Sequence, residues 1–178
     1  MMAQSSLKVS GRVWKFGDQI NTDLILPMSA MRLSPDLMHT FAFEAIRPGW
    51  VKQVRPGDLL VAGENFGLGS SRPIGQVLKT CGIVGVIAES INGLGYRNCI
   101  NAAVPVMAVP GIAMAFEDGE LAQVDFLTGE VHNQTRGTAL QGKPLPSALA
   151  DIVLAGGVMP MLVSGGFVNA KPFLARSI

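Results

Sequence analysis

A chain of 178 residues is long enough to bury one core and short for two, so a single domain is the default. With 48% hydrophobic and only 15% charged residues it is not a disordered polyelectrolyte, and some of its apolar surface is expected to meet a partner. A formal charge of +1, with no basic run interleaved with aromatics, argues against nucleic acid as that partner.

The first eight residues, Met1 to Lys8, lack the apolar core of a signal peptide, and no apolar stretch reaches the roughly 18 residues of a membrane span. A cytoplasmic protein with no membrane contact is expected. Leu7 to Phe16 alternates apolar and polar residues over most of its length, the period of a half-buried strand, and Gly17 to Asn21 turns the chain. A mixed loop runs to Leu33. Ser34 and Pro35 then occupy the N-cap and first-turn positions of a short helix extending to about Phe43.

Asp58 to Ala62 reads as a second strand, and Pro73 to about Cys81 as a helix with proline at its first turn. Ile83 to Ala88 has the unbroken apolar run of a fully buried strand, which makes the unit a parallel β-α-β crossover. Another helix near Ile91 to Cys99 leads to the apolar run Val104 to Ala108. Leu121–Phe126, the turn Leu127-Thr128-Gly129 and Glu130–Asn133 form a hairpin, and Pro146 to Ala155 is a late helix ended by Gly156-Gly157. The pattern is that of an α/β domain around a mixed sheet. From Met159 to Ile178 the chain is apolar and glycine-rich without clear periodicity, a tail that packs on the domain, covers a partner, or frays.

Between the second strand and its helix lies Gly63-Glu64-Asn65-Phe66-Gly67-Leu68-Gly69-Ser70-Ser71-Arg72. Three glycines allow close approach of the backbone to a ligand, and two hydroxyls and a guanidinium stand beside them. The loop lacks the Gly-Lys-Ser/Thr ending of a nucleotide-phosphate loop and the glycine spacing of a dinucleotide fingerprint. Arginine beside paired serines suits a carboxylate at least as well as a phosphate. The alternative is a glycine-rich turn that only solves a backbone problem.

Cys81 and Cys99 are too few to staple a domain of this size and too far apart for a metal knuckle, so both are expected as small buried thiols. His39 and His132 stand far apart without a second plausible ligand nearby, and no metal held by this chain is expected.

Taken in order, several separated motifs resemble one family. They are Gly11–Asp18 with Asn21-Thr22-Asp23, then Ala62–Gly67, Gly69-Ser70-Ser71-Arg72, Val86–Ser90, Tyr96-Arg97-Asn98 and Ala155-Gly156-Gly157. The family is that of the small, swivelling-domain subunits of aconitase-like isopropylmalate isomerases, also called 3-isopropylmalate dehydratase small subunits. The likeness spans roughly Gly11 to Gly157. It implies an aconitase-type swivelling domain over residues 1–158, α/β with a barrel-like mixed sheet flanked by helices, followed by the tail 159–178.

The resemblance also implies the chemistry. Such enzymes dehydrate a hydroxy-dicarboxylate and rehydrate the alkene, using a [4Fe-4S] cluster held by a separate large subunit, so no cofactor is expected on this chain. The implied partners are that subunit and the substrate. A homo-oligomer of the isolated chain is left open. Ser70 matches the serine whose alkoxide removes the proton α to a carboxylate, and Arg72 matches an arginine that holds substrate carboxylate. Asp23 and Arg32 match active-site positions on the first loop. Asp23 either orients a group of the large subunit or only bonds turn amides, and Ser71 either donates to substrate or caps the helix at Pro73. Asn65 and Arg97 are expected to be structural, Arg97 pairing with Glu89 or a partner surface.

Two departures bear on the substrate. Family members follow the arginine with Glu and then His or Gln, where this chain has Pro73-Ile74. The family's Tyr-Leu-Arg, which shapes the side-chain pocket, aligns with Ala30-Met31-Arg32. Replacing Tyr by Ala is expected to open the pocket, pointing to a substituted malate other than the isopropyl compound, such as a methyl- or dimethylmalate or a larger homologue. The other readings are a non-catalytic or regulatory partner subunit and a free-standing anion-binding module.

Overall fold

The computed structural model describes residues 6–169, so residues 1–5 and the end of the tail, 170–178, lie outside the described residues. Seven strands form one sheet: β1 (Lys8–Lys15), β2 (Leu59–Ala62), β3 (Gly85–Ala88), β4 (Val106–Ala108), β5 (Leu121–Asp125), β6 (Glu130–Asn133) and β7 (Thr138–Gln141). Their order is β4-β3-β2-β1-β5-β6-β7. β1 to β4 run parallel, and β5 joins β1 antiparallel to begin a meander through β6 and β7. Lys143 N–H donates to Ala108 O at 3.1 Å, tying the chain after β7 to the end of β4 and curling the sheet into a half-barrel. The mixed, barrel-like α/β domain implied by the motifs is therefore the architecture observed.

The burial of each strand follows its sequence. β2 and β3 are buried at every position, as a central parallel strand covered on both faces requires, whereas β5 and β6 alternate. Seven α-helices lie among the described residues: α1 (Thr22–Ile25), α2 (Pro35–Met38), α3 (Ile74–Thr80), α4 (Gly93–Asn101), α5 (Ile112–Ala115), α6 (Ser147–Leu154) and α7 (Val158–Ser164). The expected helix after Ser34 stops at Met38 and continues as a 3-10 turn, His39–Phe41, and the Ser34 side chain makes no capping bond. Pro73 occupies the N-cap position of α3 rather than its first turn. The segment after Gly157, without periodicity in sequence, forms α7 and packs on α4 and α6 with no buried side chain of its own. Among the described residues no single helix is long and apolar enough to cross a membrane.

β1 is anchored to the start of β2 through one carboxylate. Asp58 accepts from Trp14 Nε1 at 2.7 Å, Arg12 Nη2 at 2.7 Å and the Arg55 amide at 2.9 Å. Burial alone pushes the Asp58 carboxyl up, but these three donors and the Arg12 charge outweigh it and hold the group below its usual range. The Trp14 ring sits between the Arg12 and Arg47 guanidinium groups, each 4.5 Å from its centroid, and joins Trp50, Phe16 and Phe43 in an aromatic cluster.

Beyond β2 the chain does not leave the sheet at once. From Gly63 to Leu68 it runs on between the extensions of its two neighbours. On the β1 side Gly63 N–H donates to Gly17 O, Gln19 N–H to Glu64 O, Gly67 N–H to Ile20 O and Thr22 N–H to Leu68 O, all within 3.1 Å. On the β3 side Phe66 N–H donates to Ser90 O and Asn92 N–H to Phe66 O. Gly67 has φ +76°, and its Cα lies against the first turn of α4, where a Cβ on Gly95 would fall 2.7 Å from it.

Gly95→Ala is expected to push this loop off α4 and cost about 1–3 kcal/mol by overpacking, seen as a lower thermal midpoint. Asp58 contributes stability that is complete above its unfolded pKa, near 3.8, and is lost as pH falls through its lower folded value. Thermal midpoints measured downward from pH 5 are expected to fall, and Asp58→Asn to start lower and vary less over that range.

Candidate active site

The loop ends at the carboxyl edge of the parallel strands, where open α/β sheets present their ligand sites. Three side chains predicted for the site, Asp23, Ser70 and Arg72, gather there with Thr22, which carries no predicted role, while Ser71 lies between Ser70 and Arg72 in the chain. Asn21 caps α1 by accepting from Leu24 N–H at 2.9 Å, which sets Thr22 and Asp23 in the first turn. Thr22 is 1% exposed, and its Oγ1 accepts from the Ser70 amide at 3.0 Å and lies 3.3 Å from Ser70 Oγ. The approach depends on Gly69, at φ +122°, because a Cβ there would come within 2.6 Å of Thr22 Oγ1.

Ser70 and Ser71 are exposed at the rim, while Arg72 turns inward and is 7% exposed. Arg72 Nη1 donates to Leu26 O at 2.7 Å and pairs with Asp23 Oδ1 at 2.5 Å. A nearly buried guanidinium needs such a counter-charge, and Asp23, itself largely exposed, supplies it from the solvent side. Asp23 therefore does more than bond turn amides. From below, Asn98 of α4 clamps the loop: its Nδ2 donates to Arg72 O and its Oδ1 accepts from Gly75 N–H, both at 2.8 Å. The backbone amides of Ser71 and Arg72 have no acceptor among the described residues.

Other expectations come out differently. Ser71 does not cap α3: its side chain makes no hydrogen bond there, and the first-turn amide of Gly75 is taken by Asn98 Oδ1. Arg97 does not pair with Glu89, because both Glu89 oxygens accept from backbone amides of the α5 turn, Gly111 and Ala113. Ala30, expected to face the substrate pocket, is fully buried inside a 3-10 turn, Met28–Arg32. The exposed side chains of that turn include Met28, Met31 and Arg32, so any change in pocket shape there falls to the methionines. Arg32 is exposed and makes no side-chain hydrogen bond or ion pair among the described residues. Ile74, replacing a polar family residue, is fully buried in the core and touches the loop from beneath.

The cysteine thiols are inert. Cys81 and Cys99 are buried, and desolvation pushes each thiol up to about 12, far from the thiolate that a metal or an electrophile would require. Neither thiol is presented to the loop, so the described residues of this chain do not fit an iron-sulfur cluster.

Thr22 is legible in the sequence only as part of a motif. Its position opposite Ser70 arises from a contact 48 residues apart in sequence, which no local spacing signals.

No family model matches the chain. Among curated relatives, it is 42% identical over 158 residues to the isopropylmalate/citramalate isomerase small subunit of Methanocaldococcus jannaschii, covering 86% of this chain and 93% of that one. It is 40% identical over 153 residues to the methanogen homoaconitase small subunit of Methanothermobacter thermautotrophicus, covering 85% and 88%. The crystal structure of 3-isopropylmalate dehydratase from M. jannaschii superposes with a TM-score of 0.84 at 30% identity, over 93% of this chain and 99% of that one. With that identity carried along nearly the whole fold, the chain belongs to the family of 3-isopropylmalate dehydratase small subunits, which are hydro-lyase subunits.

Proposed function

We propose that this chain is the small subunit of a heteromeric hydro-lyase that isomerises a substituted malate, with Ser70 as the base and Arg72 as the carboxylate clamp. The observation that carries the reading is an exposed serine whose hydroxyl lies 3.3 Å from a buried threonine hydroxyl, two residues before a nearly buried arginine that is paired with Asp23. A serine is too weak an acid to act as a base unless its anion is stabilised. Fixed donors around the oxygen serve that end, more strongly once water is excluded. Substrate carboxylate reaches Arg72 on the side now shared with Asp23, and the planar guanidinium sets its angle to the proton being removed.

Relatives named for isopropylmalate, citramalate and homoaconitase chemistry support the reading that the substrate is a 2-hydroxy acid with at least two carboxylates. Met28 and Met31, exposed beside Arg32, are the apolar side chains placed to meet that substituent. Their flexible thioethers suit a small alkyl group, as in isopropyl- or methyl-substituted malates. By resemblance, a [4Fe-4S] cluster in the large subunit supplies the Lewis-acid chemistry for departure of the hydroxyl. The partner surface is expected to include the exposed apolar residues around the loop, among them Met28, Leu37, Phe41 and Leu68.

Anaerobic reconstitution with the large subunit, with loss of alkene absorbance measured over a panel of substituted maleates, tests the reading. Ser70→Ala is expected to lower kcat about 10²- to 10⁴-fold without weakening the complex. Full activity in that variant makes the chain a non-catalytic partner. Arg72→Lys is expected to lower kcat/KM about 10²-fold, because a point charge does not hold the two-point geometry. An unchanged kcat/KM there removes Arg72 from the substrate site.

A further inference from the structure

The geometry points to Thr22 as the positioning residue that holds Ser70 and donates to its oxygen as the anion develops. This assignment rests on Ser70 being the base and goes one step beyond it. Thr22 Oγ1 already accepts from the Ser70 amide, so its own proton is free for donation. Thr22 is 1% exposed and its hydroxyl is therefore shielded from water, and among the described residues the one acceptor oxygen within its hydrogen-bond reach is Ser70 Oγ, 3.3 Å away.

In the neutral pair either hydroxyl serves as the donor. Once the exposed Ser70 hydroxyl has passed its proton to solvent water, the oxygen is acceptor only and the direction is settled: Thr22 donates to the oxyanion. The same Thr22 oxygen, accepting from the Ser70 amide, fixes the backbone that carries the serine, so one side chain sets both the position and the charge of the base. Rigidity comes from both ends. Thr22 is held in α1 by the Asn21 cap and by its own amide bonded to Leu68 O, and its side chain is buried. Gly69 is what lets the two hydroxyls approach, since a side chain there collides with Thr22 Oγ1.

The role differs from that of a packing residue in what its loss does. Removing the hydroxyl leaves the alkoxide less stabilised and so harder to form, and leaves the Arg72 contact to the ground-state carboxylate untouched, so kcat falls while KM holds. The experiment uses the reconstituted complex and compares Thr22→Val, which keeps the shape, Thr22→Ala and Thr22→Ser with Ser70→Ala, using whichever maleate the wild-type complex hydrates. Thr22→Val is expected to lower kcat about 10- to 100-fold with KM within about twofold, below the full loss of an oxyanion donor because the contact is long. Thr22→Ser is expected to recover most of the rate.

Unchanged kcat in Thr22→Val, with Ser70→Ala inactive, overturns the assignment and leaves the base in place. Full activity in Ser70→Ala overturns both. A loss carried by KM, or one that Thr22→Ser fails to restore although its thermal midpoint is wild-type, makes Thr22 a packing residue and also overturns the assignment. Should Thr22→Val fail to assemble with the large subunit, the same comparison is read from Thr22→Ala against Thr22→Ser.

Discussion

Everything at this site hangs on the way the chain after β2 is held between its neighbours. A glycine-rich loop in solvent costs conformational entropy at each residue it fixes, and three glycines within seven residues raise that cost. Here the cost is offset by treating the loop as more sheet. The backbone bonds from Gly17, Gln19, Ile20 and Thr22 on one side, and from Ser90 and Asn92 on the other, continue the parallel ladder past the formal end of the strand. Phe66, fully buried, pins the middle. The glycines are then needed for closeness rather than flexibility: Gly67 lies against Gly95, and Gly69 against Thr22. Ser70 leaves the last supported turn with its backbone already fixed.

That support explains which features are legible in the sequence. β2, β3 and the hairpin of β5 and β6 carry clear apolar runs or alternation, and each forms the element its pattern predicts. β7 has three exposed positions and one half-buried, with no period to detect, and it exists because β6 offers it a register from Thr138 to Gln141. α1, four residues long, and the 3-10 turn Met28–Arg32 are too short for a 3.6-residue repeat to show. They owe their shape to the Asn21 cap and to Leu26 O, which the Arg72 side chain occupies.

Within the site, residue identity is easier to read than direction. The motif order marks Ser70, Arg72 and Asp23, and the three converge. Nothing in a linear pattern tells which way a side chain faces in a tight turn, and so Ala30 is found in the core while Met31 faces out. The Pro73-Ile74 departure has the same explanation. In sequence it looks like the loss of a polar pair beside the active loop; in the fold Ile74 is a core residue beneath that loop, and the substitution adds apolar packing under it.

The charge arrangement argues for a site completed from outside. Arg72 is nearly buried and compensated by Asp23, yet Ser70 stands at an exposed rim where water would screen its contact with Thr22. Electrostatic stabilisation of an alkoxide is strong only where the dielectric is low, and this half of the site cannot exclude water by itself. Asp23 and Ser70 are both exposed, as are Met28 and Met31 of the 3-10 turn that follows α1. A surface that closes over these residues does two things at once: it removes the water that weakens the base, and it turns the apolar rim into the wall of a pocket. On the proposed reading the large subunit is that surface, and the reactivity of Ser70 and the choice of substituent are both set by how closely the two halves meet.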